Sequence, residues 1–208
     1  MDKQTVLIIF SKVPIAGQVK TRLIQDFGKS YSATIYRRLL WNTLAKAQHV
    51  NASQIQLYID GNDQHPELCR VTQQFDVEIF QQQGKDLGER MFNALANALS
   101  FFQHAILIGC DCVALKTEDI DESFMALQKN FDIVLGPTED GGYYLIGMNQ
   151  PQSHLFENID WGSETVLSST LHSLKQKKLN HKLLNQYKDV DYAEDVKSEF
   201  FNITKQHV

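Results

Sequence analysis

Several function classes are excluded by what this 208-residue sequence does not contain. Its seven histidines and three cysteines form no cluster and no His-Glu-x-x-His, so a zinc site is not expected. Cys69, Cys110 and Cys112 cannot all pair, and none belongs to a Cys-x-x-Cys unit. That argues against a disulfide framework and for a reducing cytoplasm. A basic excess is also missing. Twenty Lys and Arg against 25 Asp and Glu leave a net charge of -5, which does not suit a general nucleic-acid binder. The KQKK run at residues 175–178 reads as a solvated helix end. The opening MDKQTVLIIF is too short in apolar residues to export or to insert in a membrane, so a cytoplasmic protein is expected. There is no repeat, low-complexity tract or linker, and no motif specifies an oligomeric state. With 43% hydrophobic and 22% charged residues, the expectation is one domain over residues 1–208.

Strand and helix patterns alternate along the chain. TVLIIF (5–10) is a continuous apolar run of the kind that lies in a parallel sheet covered on both faces. Further strands are expected at 55–60, 77–80, 105–109, 132–136, 143–148 and near 182–184. Helical spacing marks 32–50, 66–75, 87–102 and a segment capped by Thr117. It also marks one opening at Ser163 and a last one over 193–204. This order predicts an α/β domain with a mainly parallel sheet.

In such a sheet ligands bind beyond the carboxyl ends of the strands. After the first strand comes KVPIAGQVKTRL, residues 12–23. Pro14 stiffens the loop and Gly17 lets backbone amides approach a ligand; Lys12, Lys20 and Arg22 supply charge and Thr21 a hydroxyl. A phosphate is the economical partner, although the segment is no P-loop, and the alternative is a basic loop facing water. The fourth strand ends in LIGCDCVAL, where Asp111 is either a turn residue or the start of a magnesium site; Cys110 and Cys112 read as small buried side chains. In GKDLGERM (84–91), Asp86 and Glu89 suit a helix start, while Arg90 can reach a phosphate. GPTEDGGYYLIGM places Asp140 beside Gly141, Gly142 and Tyr143, which make a hairpin turn or a bed for a sugar. Trp161, in WGSETV, covers a ligand or seals the core.

Together these segments resemble, in order, a bacterial family of GT-A-fold transferases. Its members are often described as glycosyltransferases associated with radical-SAM or selenodomain proteins, or with arsenosugar biosynthesis. The likeness runs through KVPIAGQVKTRL, DLGERM, IGCDC, GPTEDGGYYLIG and WGS, over about residues 6–196. The closing DVDYAEDV is similar to the Asp-Thr-Pro-Glu-Asp-Leu ending of related nucleotidylyltransferases of the 2-phospholactate guanylyltransferase type. Two departures are Val113 for the usual proline after Asp-Cys, and Tyr192-Ala193 for Thr-Pro.

The resemblance implies a three-layer α/β/α nucleotide-diphospho-sugar transferase sandwich with the nucleotide over the first and fourth strands. It implies Mg²⁺ or Mn²⁺ held by Asp111 and by Asp191, with Asp195 as the alternative second acid. Phosphate contacts fall to Lys12, Gly17, Lys20, Thr21, Arg22 and Arg90, and acceptor or sugar contacts to Gly141, Gly142, Tyr143 and Trp161. Lys20, Asp111 and Asp140 become the catalytic candidates, Asp140 as a base or acceptor-orienting group. Glycosyl transfer from a nucleotide sugar to a small-molecule acceptor is the favoured activity. Transfer of a nucleotidyl group from an NTP to a phosphorylated small molecule is the alternative, and a non-catalytic nucleotide-binding module a third reading.

Overall fold

The computed structural model describes residues 4–196. Seven strands form one sheet in the order β3-β2-β1-β4-β6-β5-β7. They are β1 (Thr5–Lys12), β2 (Gln54–Asp60), β3 (Glu78–Gln81), β4 (His104–Ile108), β5 (Ile133–Pro137), β6 (Tyr143–Met148) and β7 (His181–Leu183). The pairings β3-β2, β2-β1, β1-β4 and β5-β7 are parallel; β6 alone runs antiparallel, between β4 and β5.

Five α-helices cover the sheet: α1 (Ile24–Ala47), α2 (Pro66–Gln74), α3 (Leu87–Leu99), α4 (Thr117–Gln128) and α5 (Val166–Lys177). Side chains alternate along β1, so Leu7 and Ile9 pack with Leu40 and Leu44 of α1, Leu68 of α2 and Phe124 of α4. Val6, Ile8 and Phe10 meet Met91 and Leu95 of α3 and Leu174 of α5 on the other face. The result is the three-layer α/β/α sandwich. β1 reads as a continuous apolar run because both its faces are covered.

Three helix starts differ from the spacing expectation. α1 begins earlier, at Ile24, and is kinked at Gly28 (φ 77°, ψ 162°). Thr117 opens α4 but does not cap it; the Asp119 carboxylate instead accepts from the Lys116 amide at 3.0 Å. α5 starts at Val166 because Ser163 is spent in a turn, its hydroxyl accepting from the Thr165 amide at 3.3 Å. Of the last expected helix, residues 193–196 are helical and residues 197–204 lie outside the described residues. Among the described residues no helix is long and apolar enough to cross a membrane.

The chain moves outward from β1 through β2 to β3, then returns to place β4 on the other side of β1. Strand order therefore reverses between β1 and β4, whose carboxyl ends open a crevice. Because β6 runs antiparallel, the turn joining β5 to β6 lies at the same edge of the sheet.

Candidate active site

A cavity of about 670 Å³ occupies this crevice. Lys12, at the end of β1, lines it, and the following loop turns at Gly17 (φ +85°). Gly17 itself does not line the cavity. It shapes the loop that delivers Lys20, Thr21 and Arg22, all three of which do. Lys20 adopts a left-handed conformation (φ 44°, ψ 49°), which costs a non-glycine residue about 1–2 kcal/mol. That conformation aims its side chain inward, where only 5% of it stays exposed.

The Lys20 ammonium bridges two acids. Its Nζ lies 3.1 Å from Asp111 Oδ1 and 2.9 Å from Asp191 Oδ1. Burial by itself would lower the Lys20 pKa; the Asp111 and Asp191 carboxylates outweigh it and hold it above the ordinary lysine value. Arg22 Nη1 donates to the other oxygen of Asp191 at 2.6 Å, and its guanidinium lies 5.7 Å from the Tyr192 ring centroid. At the other side of the cavity Arg90 Nη1 donates to Asp60 Oδ2 at 2.9 Å. Asp86 caps α3, accepting from the Glu89 amide at 2.8 Å, and so sets Arg90 one turn into the helix.

Asp111 lies three residues past the end of β4, and its side chain, 39% exposed, lines the cavity. Behind it lies a buried polar chain: Lys12 N donates to Tyr36 Oη (2.8 Å), which shares a hydrogen bond with Ser11 Oγ (3.0 Å). The Cys110 thiol sits 3.8 Å from both Ser11 Oγ and Asp111 Oδ1. Burial, then the Asp111 charge, pushes Cys110 up to about 12, so it stays a protonated thiol and no hard-metal ligand. Cys112 is likewise buried and raised to about 12.

The choice between Asp191 and Asp195 is geometric. Asp195 is 3% exposed; its Oδ2 accepts from the amides of Asp191 (3.1 Å) and Tyr192 (2.7 Å), while Oδ1 pairs with Lys188 (2.6 Å). Burial would raise its pKa, but these bonds outweigh it and hold the carboxyl below the ordinary range. Asp195 ties the loop together, whereas Asp191 faces the cavity.

Asp189 joins them and did not stand out in the sequence. The Val190 amide donates to the Asp111 carbonyl at 3.0 Å, which lays residues 189–191 against the end of β4. Asp189 Oδ1 is buried with no hydrogen-bond partner among the described residues. Burial first, then repulsion from Asp111, pushes its carboxyl up to about 7. The alternation Asp-Val-Asp was its one sequence signal, a strand-like pattern placing both acids on one side.

An oxygen-rich set of Asp111, Asp189 and Asp191 with one orphaned carboxylate oxygen fits a hard divalent ion better than a soft one. Among the described residues no three His, Cys, Asp or Glu side chains converge closely enough to hold an ion by themselves. Mg²⁺ binding through one or two carboxylates and substrate phosphates agrees with that.

Asp140, Gly142, Tyr143 and Trp161 belong to a smaller annex, described below, and Asp189 lines both spaces. Asp140 Oδ1 accepts from Thr138 Oγ1 (2.5 Å) and from the Gly142 amide (3.2 Å). Gly141 supports the turn from behind: at φ +88° an added Cβ would lie 2.1 Å from the Glu164 carbonyl oxygen. Tyr143 offers its ring and not its hydroxyl, which is buried without a hydrogen-bond partner among the described residues and whose pKa burial raises.

Comparison with solved structures places this geometry in a known fold. The chain superposes with TM-score 0.86 and 26% identity on a protein from Desulfovibrio desulfuricans G20 provisionally assigned as a nucleotide-diphospho-sugar transferase. The match covers 99% of this chain and 95% of that one. The inositol-1-phosphate CTP transferase of T. maritima shares the fold at TM-score 0.65 and 11% identity, over 99% and 96% of the two chains. Rv0371c of Mycobacterium tuberculosis H37Rv, in complex with manganese, does so at 0.55 and 14%, over 95% and 98%. No curated protein matches the sequence. The resemblance drawn from the sequence motifs thus holds for the nucleotide-diphospho-sugar transferase fold. Over residues 43–163, more than half its length, the chain matches the family described as an uncharacterized protein conserved in bacteria (DUF2064), and it belongs to that family.

Proposed function

We propose that the protein is a metal-dependent glycosyltransferase that uses a nucleotide-diphospho-sugar donor and a small-molecule acceptor. One observation carries the reading: Lys12, Lys20, Arg22 and Arg90 line a single cavity that also receives Asp111, Asp189 and Asp191. Such a cavity can neutralise a diphosphate and hold a divalent ion beside it, since Lys20 and Arg22 already meet the acids there. The fold likeness to the Desulfovibrio protein supports the choice of donor.

In this reading Asp111 and Asp191 would hold Mg²⁺ or Mn²⁺ together with substrate phosphate oxygens, and the ion would offset the charge of the leaving diphosphate. Lys20 and Arg22 bind diphosphate oxygens from the loop side, and Thr21 adds a hydroxyl. Arg90, anchored by Asp60, reaches in from the opposite wall. Asp140, oriented by Thr138 and the Gly142 amide, accepts a hydrogen bond from an attacking hydroxyl and receives its proton. Tyr143 and Trp161 exclude water from that end.

Nucleotidyl transfer is the second reading, favoured by one feature. Lys20 and Arg22 sit together on the first loop, where they can meet the longer phosphate chain of an NTP. The shared fold with the T. maritima CTP transferase is in keeping with it. Incubation with Mg²⁺ or Mn²⁺, NTPs and nucleotide sugars separates the two. Release of nucleoside diphosphate from a nucleotide sugar is expected; pyrophosphate from an NTP plus a sugar phosphate would replace this reading by the second. Saturable nucleotide binding with neither product would reduce the protein to a binding module.

A further inference from the structure

The four basic side chains of the site all line the large cavity. Among the described residues, the annex beside it, about 180 Å³, has none: no lysine, arginine or histidine lines it. It shares Leu87, Met91, Tyr143 and Asp189 with the cavity as lining residues and is bounded by Trp161 and Asp140. Its volume equals about six waters, room for a single six-membered ring and its hydroxyls but too little for a nucleotide.

The chemistry of its walls is uneven in a way that selects a ligand. Trp161 is held edge-on by Tyr143 (ring centroids 6.3 Å, 86°) and stacks on Phe156 (6.3 Å, 23°). α3 approaches the indole through Gly88, where a Cβ would stand 2.4 Å from Nε1. This leaves a fixed aromatic surface on one side. Opposite in character, Asp140 uses Oδ1 on Thr138 and the Gly142 amide, so Oδ2 remains available to a donor. Asp189 adds a second acid, and no cation of the described residues lines the annex beside it. An apolar wall suits the C–H face of a ring, and an acceptor-only carboxylate suits its hydroxyls. A second carboxylate or phosphate on that ring would be buried against like charge.

We infer that the annex is a subsite for one uncharged sugar ring and that it discriminates against uronic acids and ring-phosphorylated sugars. The inference deepens the proposed function and rests on it for the route by which the ring arrives. That ring is either the sugar of a nucleotide-linked donor or a free sugar acceptor.

The chain has two tryptophans, and Trp41 lies elsewhere, hydrogen-bonded to Glu67. Trp41→Phe therefore leaves Trp161 as sole reporter. Its emission is titrated with methyl glucoside, glucuronate and glucose 6-phosphate, then with UDP-glucose, GDP-mannose and UDP-glucuronate. Neutral rings are expected to shift the emission and acidic ones to bind at least about tenfold more weakly, with Asp140→Asn narrowing that gap. Saturation-transfer NMR of the same sugars on the unaltered protein repeats the comparison without a substitution. A response to free sugar makes the acceptor the source; a response to nucleotide sugars alone makes it the donor. Equal affinity for acidic and neutral rings, or no effect of neutral rings in either form, overturns the inference. Calorimetry with UDP and GDP reads the larger cavity separately. If nucleotides fail to bind while free sugar still moves Trp161, the transferase reading falls and the subsite stands.

Discussion

Lys20 and the acids around it set the most direct expectations. Asp111→Ala should remove metal-dependent turnover, by about 10²–10³-fold or more, with an unchanged circular dichroism spectrum; near-normal activity would remove Asp111 from the chemistry. Lys20→Ala should weaken nucleotide binding by roughly tenfold or more, as loss of a hydrogen bond between charged groups does, and calorimetry would show it. Asp189 makes a pH argument possible. Its folded pKa is raised to about 7, so between the ordinary aspartate value and 7 the folded protein keeps a proton that the unfolded chain gives up. Stability should therefore fall as pH rises through that window and level off above it. Asp189→Asn should flatten the profile, gaining on the order of a few kcal/mol at pH 8 and little at pH 4 in urea unfolding. An unaltered profile would mean the carboxyl is not desolvated. Lys20 and Asp111 could be picked from the sequence because each ends a recognisable apolar run or motif. Asp189 could not, because its burial is created by a hydrogen bond from Val190 to the carbonyl of Asp111.

Within single elements the same contrast recurs. Sequence periodicity located α3 and its N-terminal acids, since Met91 and Leu95 repeat at helical spacing and Asp86 stands where a cap belongs. It could not show that Gly88 is there for Trp161. By helix propensity alone Gly88→Ala should stabilise α3 by about 1 kcal/mol. The new Cβ would instead meet the indole at 2.4 Å, and overpacking of this kind costs typically 1–3 kcal/mol. The substitution is expected to lower the melting temperature and shift tryptophan emission; a gain in stability would show that Trp161 moves aside freely. The strand at 143–148 was legible as apolar and following a glycine turn. Its antiparallel direction follows from where that turn puts it, between β4 and β5.

For the molecule as a whole, both faces of one sheet are covered by helices that the chain supplies in alternation. If residues 1–208 form one domain, heat should unfold the protein in a single transition, seen alike by near- and far-UV circular dichroism. Nucleotide with Mg²⁺ or Mn²⁺ should raise that transition in proportion to the logarithm of ligand concentration, because it binds the folded state alone. Two separable transitions would divide the domain, and a ligand-independent midpoint would argue against the cavity as a nucleotide site.

Alternating apolar runs and helical spacings are local properties, so the order of elements, the sandwich class and the motifs flanking the strand ends could be read from the chain directly. Register, strand direction and the company each charge keeps depend on residues far apart. Lys20 meets Asp191 across 171 positions, and the four cations of the large cavity come from the end of β1, the loop after it and α3. Those contacts exist because burying the shared core leaves the chain one economical way to pack, and no short window of sequence contains that constraint.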